Sequence, residues 1–354
     1  MRILVIQQKR IGDVLTSTII CNNLKSKFPD ATMDYMCYPN SIDVLLENPN
    51  IDNIIPVTNK IRKSTLGFVK FIFEIRRKKY DAVIDVYSKL GTNLITFFSG
   101  AKYKVSYHKW YSNIFYNYSY ERFDAIKSEY GLAIENRLLL LKPFFSEKIT
   151  NVKPKIFLKD SEIAEAKSIL KSHAIAPEKP LIMFGILGSE HYKTYPLDGM
   201  AKIIDFTVAK TNATILFNYI PNQKEQALEV YNYCSEETKK HIVFDLYATD
   251  LRQFLAILSQ CEMLIGNEGG AVNMAKALEI PTFSIFTPSV RKETWQLFEN
   301  EAKNVSVHLK DLKPEIYEKH TEQYIKEHTF EYYAEYPLEL MLQKLETYFQ
   351  EYKN

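Results

Sequence analysis

Near its start the chain reads Arg2-Ile3-Leu4-Val5-Ile6-Gln7-Gln8-Lys9-Arg10-Ile11-Gly12-Asp13-Val14-Leu15. An apolar run of strand length ends in a polar loop that contains Gly12, and the apolar residues take helical spacing from Val14 onward. A strand, a glycine-containing turn and a helix in this order predict the first unit of a parallel sheet with covering helices.

A second turn of the same kind lies late in the chain, in Cys261-Glu262-Met263-Leu264-Ile265-Gly266-Asn267-Glu268-Gly269-Gly270-Ala271-Val272-Asn273-Met274-Ala275. Its glycines allow the backbone to come close to a ligand. The helix that follows offers unpaired N–H groups and the positive end of its dipole to an anion. The two turns therefore predict two nucleotide-fold halves in one chain.

Alternation of strands and helices supports this division, and 354 residues are too many for one ordinary core. We predict a first Rossmann-like domain over residues 1–170, a second over 171–335, and a C-terminal helix with an apolar stripe over 336–354. The predicted strands are 3–6, 33–37, 53–56, 82–86 and 103–106, then 180–184, 213–218, 242–244, 263–265 and 282–286. The aromatic stretch 107–123 has no clean period and is interpreted as irregular.

Composition excludes several classes of protein. A net charge of +2 does not indicate a nucleic-acid partner, and no apolar run approaches the ~20 residues of a membrane span. The first strand begins at Arg2, which leaves no room for a signal peptide, so we expect a cytoplasmic protein. Four scattered cysteines favour buried, reduced thiols, and the histidines show no metal-ligand spacing. A nicotinamide-dependent oxidoreductase is disfavoured because the first turn has one glycine where that motif needs three.

Several motifs occur in a consistent order along the chain. They are Ile11-Gly12-Asp13, Phe28-Pro29-Asp30-Ala31, Asn48-Pro49-Asn50-Ile51-Asp52, Lys193-Thr194-Tyr195-Pro196, and Gly266-Asn267-Glu268 before Gly270 and the strand Ile280-Pro281-Thr282. In this order they resemble glycosyltransferase family nine, the lipopolysaccharide heptosyltransferases. The resemblance covers nearly the whole chain.

That resemblance implies an α/β fold of GT-B architecture, with two Rossmann-like domains and a ligand cleft between them. The first domain would bind the acceptor, the second the nucleotide-sugar donor, and the last helix would pack back on the first domain. It implies an inverting, metal-independent transfer without a cofactor, from a nucleoside-diphosphate sugar such as ADP-heptose. The acceptor would be a lipopolysaccharide core or a related lipid-linked or oligosaccharide glycan, with peripheral contact at the inner face of the cytoplasmic membrane left open.

Asp13 carries the catalytic hypothesis for the first domain. The resemblance assigns the general base to this position, and a carboxylate there suits proton removal from an acceptor hydroxyl; the alternative is a helix N-cap. The neighbouring Lys9, Arg10 and Gly12, and the basic cluster Lys60, Arg62 and Lys63, are candidates for binding an anionic acceptor. Their alternative is a solvent-facing loop and a solvated helix end. The aromatic residues of 107–120 are hypothesised to join the basic cluster at a membrane-borne acceptor, or else to fill gaps around a loop.

The donor site is predicted in the second domain. Gly188 and Ser189 follow its first strand and are candidates for holding a diphosphate, unless they form an ordinary loop. The resemblance assigns to Lys193 contact with the sugar diphosphate and a catalytic role in offsetting the charge of the leaving group. The turn Glu268-Gly269-Gly270 is predicted to bind phosphate and sugar hydroxyls, the alternative being a tight turn that needs glycine for its backbone angles.

This chain departs from the family at the donor turn. The family carries Asp-Thr-Gly with a His three residues later, whereas this chain has Glu268-Gly269-Gly270 and Asn273. The family's acidic residue after the second strand of the domain is Gln223 here, unless Glu225 takes its place. We therefore expect an altered sugar or base preference rather than lost binding. A sugar-nucleotide epimerase or hydrolase of the same fold, and a family member that only binds nucleotide sugar or glycan, remain alternatives.

Overall fold

A computed structural model describes residues 1–176, 178–300 and 302–353. The chain divides into two compact units, Met1–Phe157 and Leu158–Asn354. The boundary predicted at residue 170 lies too late, because helix α6 (Asp160–Ser172) packs on α10 (Leu251–Leu258) of the second unit. An ion pair of 2.6 Å between Arg252 and Glu162 joins these two helices.

The first unit is built on a six-stranded parallel sheet in the order β3-β2-β1-β4-β5-β6. The strands β1 and β4 are central and nearly free of solvent exposure, as expected for a parallel sheet with both faces covered. The strands are β1 Arg2–Ile6, β2 Thr32–Cys37, β3 Asn53–Pro56, β4 Ala82–Asp85, β5 Tyr103–Tyr107 and β6 Tyr118–Tyr120. The helices are α1 Ile11–Lys27, α2 Asn59–Lys63, α3 Thr65–Arg77, α4 Leu90–Phe98 and α5 Leu132–Leu139.

The second unit contains a five-stranded parallel sheet in the order β11-β10-β9-β7-β8. Its strands are β7 Leu181–Gly185, β8 Thr214–Phe217, β9 Met263–Asn267, β10 Thr282–Ile285 and β11 Asn304–Val307. Helices α6 and α10 belong to it, together with α7 Leu197–Thr211, α8 Lys224–Tyr233, α9 Glu236–Lys239, α11 Gly270–Ala277 and α12 Lys292–Trp295. The chain ends in α13 Leu309–Leu312, α14 Pro314–Lys319, α15 Glu322–Glu327, α16 Thr329–Ala334 and α17 Leu338–Lys353.

Two parallel sheets confirm the predicted α/β class, and nine of the ten predicted strands are present. The exception is 242–244, where Ile242 makes only a single bridge to Ile215. The stretch predicted as irregular contains the short strand β6, and β11 was not predicted. Both are edge strands whose pairing depends on a neighbour distant in sequence.

The C-terminal helix α17 differs from the prediction. Its apolar residues Met341, Leu345, Tyr348 and Phe349 join the core of the second unit, and the helix packs on α7 there. The expectation that this stripe packs on the first domain is wrong, because its side chains are buried with residues of the second sheet such as Phe283, whose ring centroid lies 5.8 Å from that of Tyr348. The four cysteines are buried free thiols, as predicted. Among the described residues, no helix is long and apolar enough to cross a membrane.

Candidate active site

Asp13 is the third residue of helix α1, and its side chain does not cap the helix. The N-cap position belongs to Arg10, which makes no capping hydrogen bond. The Asp13 Oδ1 instead accepts a 2.8 Å hydrogen bond from Nη2 of Arg137, in an ion pair that leaves 29% of the Asp13 side chain exposed. The N-cap alternative is therefore wrong, and the carboxylate is both anchored and accessible.

Arg137 was not predicted as a site residue, but several hydrogen bonds fix its guanidinium in place. Besides Asp13, it donates to the Ser17 hydroxyl at 2.9 Å and to the Ala133 carbonyl at 2.6 Å, and its side chain is only 7% exposed. Because its other hydrogen bonds fix the Arg137 guanidinium, the donor that faces Asp13 sets the orientation of that carboxylate. The sequence feature that could have indicated Arg137 is its position as a charged residue directly before the apolar run 138–141.

Two tyrosines extend this site along the edge of the sheet. Burial raises the pKa of Tyr107, whose surroundings include the charges of Arg137, Arg122 and Asp13. Burial also raises the pKa of Tyr87, where Asp13 adds to the shift and Arg62 opposes it. Tyr87 thus lies within electrostatic reach of both Asp13 and Arg62.

The predicted acceptor residues differ in their contacts and in their exposure to solvent. Arg62 lies over the ring of Tyr38 at 4.3 Å. Lys60 and Lys63 are exposed on α2 and make no ion pair within the described part of the chain. Lys9 and Arg10 are exposed in the loop before α1, and Gly12 is buried in the first turn of that helix.

A buried carboxyl lies beside this site at the end of β4. Asp85 is opposite Ile6 in the sheet register and is fully buried. It accepts hydrogen bonds from the Ser88 N–H at 2.8 Å and the Tyr116 hydroxyl at 2.7 Å. Burial raises the pKa of Asp85 to about 6, because desolvation outweighs these hydrogen bonds.

We expect the stability of the first unit to fall as pH rises through this pKa. The unfolded chain releases the Asp85 proton near its ordinary pKa of 3.8, and the folded chain holds it until about 6. Protonated Asp85 therefore stabilises the fold below about pH 4, and that stabilisation is lost at higher pH. Between pH 4 and pH 7, the Asp85 side chain should lower the free energy of unfolding of the wild type by about 2–3 kcal/mol. The variant Asp85→Asn should not show this decrease. Urea unfolding at both pH values measures it, and equal pH dependence in variant and wild type would contradict it.

In the second unit, Gly188 is packed against the backbone of Lys193. A Cβ at Gly188 would lie 2.5 Å from the Lys193 carbonyl oxygen, so only glycine fits. The Gly188 N–H donates to the Thr194 hydroxyl at 3.0 Å, and the Gln223 amide donates to the Gly188 carbonyl at 3.4 Å. The structure thus brings together Gly188, Lys193 and Gln223.

Asn267 joins this loop to the end of β9. Its Oδ1 accepts from the Tyr195 N–H at 2.8 Å, and its Nδ2 donates to the carbonyls of Gly185 and Ile186, each at 3.0 Å. The side chain is buried, so these bonds are not shared with solvent. Asn267 had no role assigned from the sequence, and it holds the segment that contains Lys193 and Tyr195 against the ends of β7 and β9.

Lys193 ends a short 3₁₀ turn, His191–Lys193, whose backbone is anchored from two sides. The Tyr192 carbonyl accepts from the Thr287 hydroxyl at 3.0 Å and from the Tyr333 hydroxyl at 3.4 Å. The ammonium of Lys193 lies 6.0 Å from the Tyr192 ring centroid and pairs with no carboxylate among the described residues. A fixed backbone thus carries a cation that is not neutralised within the described structure.

The turn Glu268-Gly269-Gly270 leads from β9 into the open N-terminus of α11. Gly269 is extended, with φ 163° and ψ −160°, and a Cβ there would meet nothing within 4 Å. A Cβ at Gly270 would meet only the Met274 methyl, at 4.0 Å. The alternative that the turn needs glycine for its own backbone is therefore wrong, and the small residues leave open space at the N–H groups.

Asn273 adds a polar atom without a partner at this turn. Its Nδ2 donates to the Gly269 carbonyl at 3.1 Å, while its buried Oδ1 has no hydrogen-bond partner among the described residues. Buried polar atoms are usually paired, so this acceptor in the first turn of α11 is available to a hydrogen-bond donor of a ligand. Glu268 is also buried there, and its N–H is bonded to the Ile285 carbonyl at 2.8 Å.

Ser189 and Glu225 were also predicted as donor residues, but they do not join the hydrogen-bonded residues described above. Ser189 is exposed beside Gly188, and Glu225 is exposed in the first turn of α8. Neither makes a hydrogen bond or ion pair with the other predicted residues. The described part of the chain also contains no group of three or more His, Cys, Asp or Glu side chains that could hold a metal ion.

Comparison with known proteins adds independent observations. The family model for glycosyltransferase family 9 (heptosyltransferase) matches residues 68–325. The chain is 22% identical to lipopolysaccharide heptosyltransferase 1 of Campylobacter coli over 304 residues, which is 82% of this chain and 86% of that protein.

Two solved structures share the fold over most of their length. A family 9 glycosyltransferase of Veillonella parvula matches with a TM-score of 0.71 and 19% identity, over 90% of this chain and 88% of that one. An Escherichia coli heptosyltransferase solved with ADP-2-deoxy-2-fluoro heptose matches with a TM-score of 0.64 and 16% identity, over 90% of this chain and 100% of that one. With the two parallel sheets, these neighbours show a fold of the GT-B type.

Proposed function

Since this chain belongs to glycosyltransferase family 9, we propose that it moves a sugar from a nucleoside-diphosphate donor to a surface-glycan acceptor. The chain is a glycosyltransferase, so the epimerase, hydrolase and binding-only alternatives are not retained. The single observation that carries the proposed donor is the open N-terminus of α11, with its orphaned Asn273 Oδ1.

The donor diphosphate is proposed to bind in the second unit. The N–H groups at Gly269 and Gly270 and the positive end of the α11 dipole suit phosphate oxygens. Glu268 would accept hydrogen bonds from ribose or sugar hydroxyls, and the Lys193 ammonium adds positive charge from the neighbouring loop. The Escherichia coli neighbour was solved with an ADP-heptose analogue, which supports a nucleoside-diphosphate sugar as the class of donor.

The acceptor is proposed to bind in the first unit, with Asp13 as general base. The Asp13 Oδ1 is engaged by Arg137, which leaves Oδ2 to take the proton of the acceptor hydroxyl. The acceptor oxygen then forms a bond to the anomeric carbon as the bond to the diphosphate breaks. Attack opposite the leaving group inverts the anomeric carbon, and the departing charge is stabilised by Lys193 and the α11 N-terminus. The relatives' names favour a lipopolysaccharide core acceptor.

Replacing Lys193 with Ala should lower kcat by about 10- to 100-fold, because the charge it offsets grows as the diphosphate leaves. Donor affinity should fall less, since part of that charge is absent in the ground state. Steady-state kinetics with the nucleoside-diphosphate sugar that binds best and a deacylated lipopolysaccharide core measure both quantities. Lys202→Ala, an exposed change on α7, serves as the control. Unchanged kcat in Lys193→Ala would contradict the assignment.

The donor itself is tested by calorimetry against ADP-, UDP- and GDP-sugars. Because Glu268, Gly269 and Asn273 replace the family's residues, we expect a preference that differs from tight selection of ADP-heptose. Tight, selective ADP-heptose binding would contradict the altered preference. Failure of the folded protein to bind any nucleoside diphosphate would contradict the donor site. Free sugar as the only product would assign a hydrolase reaction instead of transfer.

A further inference from the structure

Helix α16, near the end of the chain, lies along the short turn that carries Lys193. Phe330 and Tyr333 are three residues apart on this helix, and residues at that spacing share one face. The helix begins at Thr329, whereas the match to the family model ends at residue 325. Its contacts with the turn are therefore a feature of this chain that the family match does not cover.

The two aromatic rings of α16 contact the chain on both sides of Lys193. The Phe330 ring lies 4.7 Å from the ring of His191, which precedes Lys193 by two residues. The Tyr333 ring meets the ring of Tyr195 edge-on at 5.8 Å, two residues after Lys193. One helix face thus spans the whole turn, and pairs of rings in these arrangements stabilise the contact.

The helix is itself attached to the core of the second unit by Tyr336, two residues after its end. The Tyr336 hydroxyl donates to the Phe286 carbonyl directly after β10 and accepts from the Leu309 N–H at 3.1 Å. The side chain is only 4% exposed, so these bonds are shielded from water. Because α16 has its own attachment to the sheet, it can act as a fixed support for the turn.

The Tyr333 hydroxyl reaches the peptide that precedes Lys193. It donates to the Tyr192 carbonyl at 3.4 Å, and the same oxygen accepts from the Thr287 hydroxyl at 3.0 Å. A carbonyl oxygen has two lone pairs, so two donors fix the peptide plane from two directions. Burial raises the pKa of Tyr333 and the charge of Glu268 adds to the shift, so the hydroxyl remains a donor and lies within electrostatic reach of the donor turn.

We propose that Phe330 and Tyr333 are positioning residues for sugar transfer, and that they hold the turn His191–Lys193 so that the Lys193 ammonium stays beside the departing diphosphate. The inference rests on the proposed function, in which Lys193 offsets the charge of the leaving group. A three-residue 3₁₀ turn has poor hydrogen-bond geometry of its own, and a lysine side chain is long and flexible. The place of the charge therefore depends on what fixes the backbone. A displaced cation costs most in the transition state, where the negative charge develops.

The pair Phe330→Ala with Tyr333→Phe tests the inference. It removes a ring that is 52% exposed and a hydroxyl, and it keeps the buried Tyr333 ring in the core. In hydrogen exchange without any ligand, amides of residues 188–196 should exchange at least ~10-fold faster, while β7 and β9 keep the wild-type rate. In the kinetic assay used for Lys193→Ala, kcat should fall about 10-fold and the donor KM should change less than about threefold. Added to Lys193→Ala, the pair should lower kcat no further, because the cation that it positions is absent.

The matched control is Tyr324→Ala with Tyr348→Phe, which makes the same kinds of change in neighbouring helices. Tyr324 is an exposed ring stacked on the ring of His328 at 4.0 Å. Tyr348 is buried and donates its hydroxyl to the Lys303 carbonyl at 3.1 Å. The control pair should keep wild-type exchange over residues 188–196 and wild-type kcat.

The inference is overturned if the α16 pair leaves exchange over residues 188–196 unchanged, or if its effect on kcat persists in full without Lys193. An equal loss of kcat in the control pair would also overturn it, because the effect would then be one of general stability. A wild type that binds no nucleoside diphosphate would contradict the proposed function and this inference with it. A wild type that binds and turns over, beside an α16 pair that does so equally well, would contradict this inference alone.

Discussion

Asp13→Asn should lower kcat by about 10²- to 10⁴-fold, because an amide cannot take the proton of the acceptor hydroxyl. The asparagine keeps the size of the side chain, and its Oδ1 can still accept the hydrogen bond from Arg137 that Asp13 accepts at 2.8 Å. The effect is therefore expected in turnover, with donor affinity nearly unchanged, since the proposed donor residues lie in the other unit. Single-turnover kinetics at saturating donor measure the loss.

Stability must be separated from chemistry in this experiment. Arg137 is buried, and removing the charge of its partner leaves a cation with a weaker hydrogen bond, which is destabilising. Asp13→Glu supplies the matched variant, because it keeps the charge but moves the carboxylate. Thermal unfolding of both variants reports the loss of the ion pair. If Asp13→Asn is folded and turns over at nearly the wild-type rate, Asp13 is not the base and serves only to hold Arg137.

Gly270→Val should weaken binding of a nucleoside diphosphate by at least about 100-fold, which corresponds to roughly 2.7 kcal/mol. A side chain at the first residue of α11 would occupy the space that the phosphate oxygens need in order to reach the backbone N–H groups. The fold should tolerate the change, because the nearest neighbour of a Cβ at Gly270 is the Met274 methyl at 4.0 Å. Calorimetry with ADP and thermal unfolding of the same sample measure the two quantities.

The control for this prediction is a glycine near the start of another helix. Gly91 is the second residue of α4, and a Cβ there would contact the Phe68 ring at 3.6 Å. Gly91→Ala should leave ADP binding unchanged because α4 belongs to the first unit. Wild-type affinity in a folded Gly270→Val protein would show that the diphosphate does not approach this backbone, and would remove the α11 N-terminus from the donor site.

The sequence by itself determined the α/β class, the two halves and most of the strands. Buried parallel strands such as β1 and β7 are short apolar runs bounded by loops, and that signal is local. It also predicted Asp13 and the turn at Glu268 as site residues, because residues at a strand-to-helix turn lie at the carboxyl edge of a parallel sheet, and it predicted Lys193 from the resemblance to the family. The edge strand β11 was not predicted, because its pairing with β10 depends on contacts between distant parts of the chain.

Only the tertiary structure decided which partners these residues have. Arg137 is 124 residues from Asp13 and Asn267 is 72 residues from Tyr195, and no local pattern marks either pairing. The structure also placed α17 on the second unit and showed that α3 and α4 expose apolar residues on one face. Periodicity shows that a helix has an apolar side, but which surface covers that side depends on how distant segments pack, and this is settled only when the chain folds.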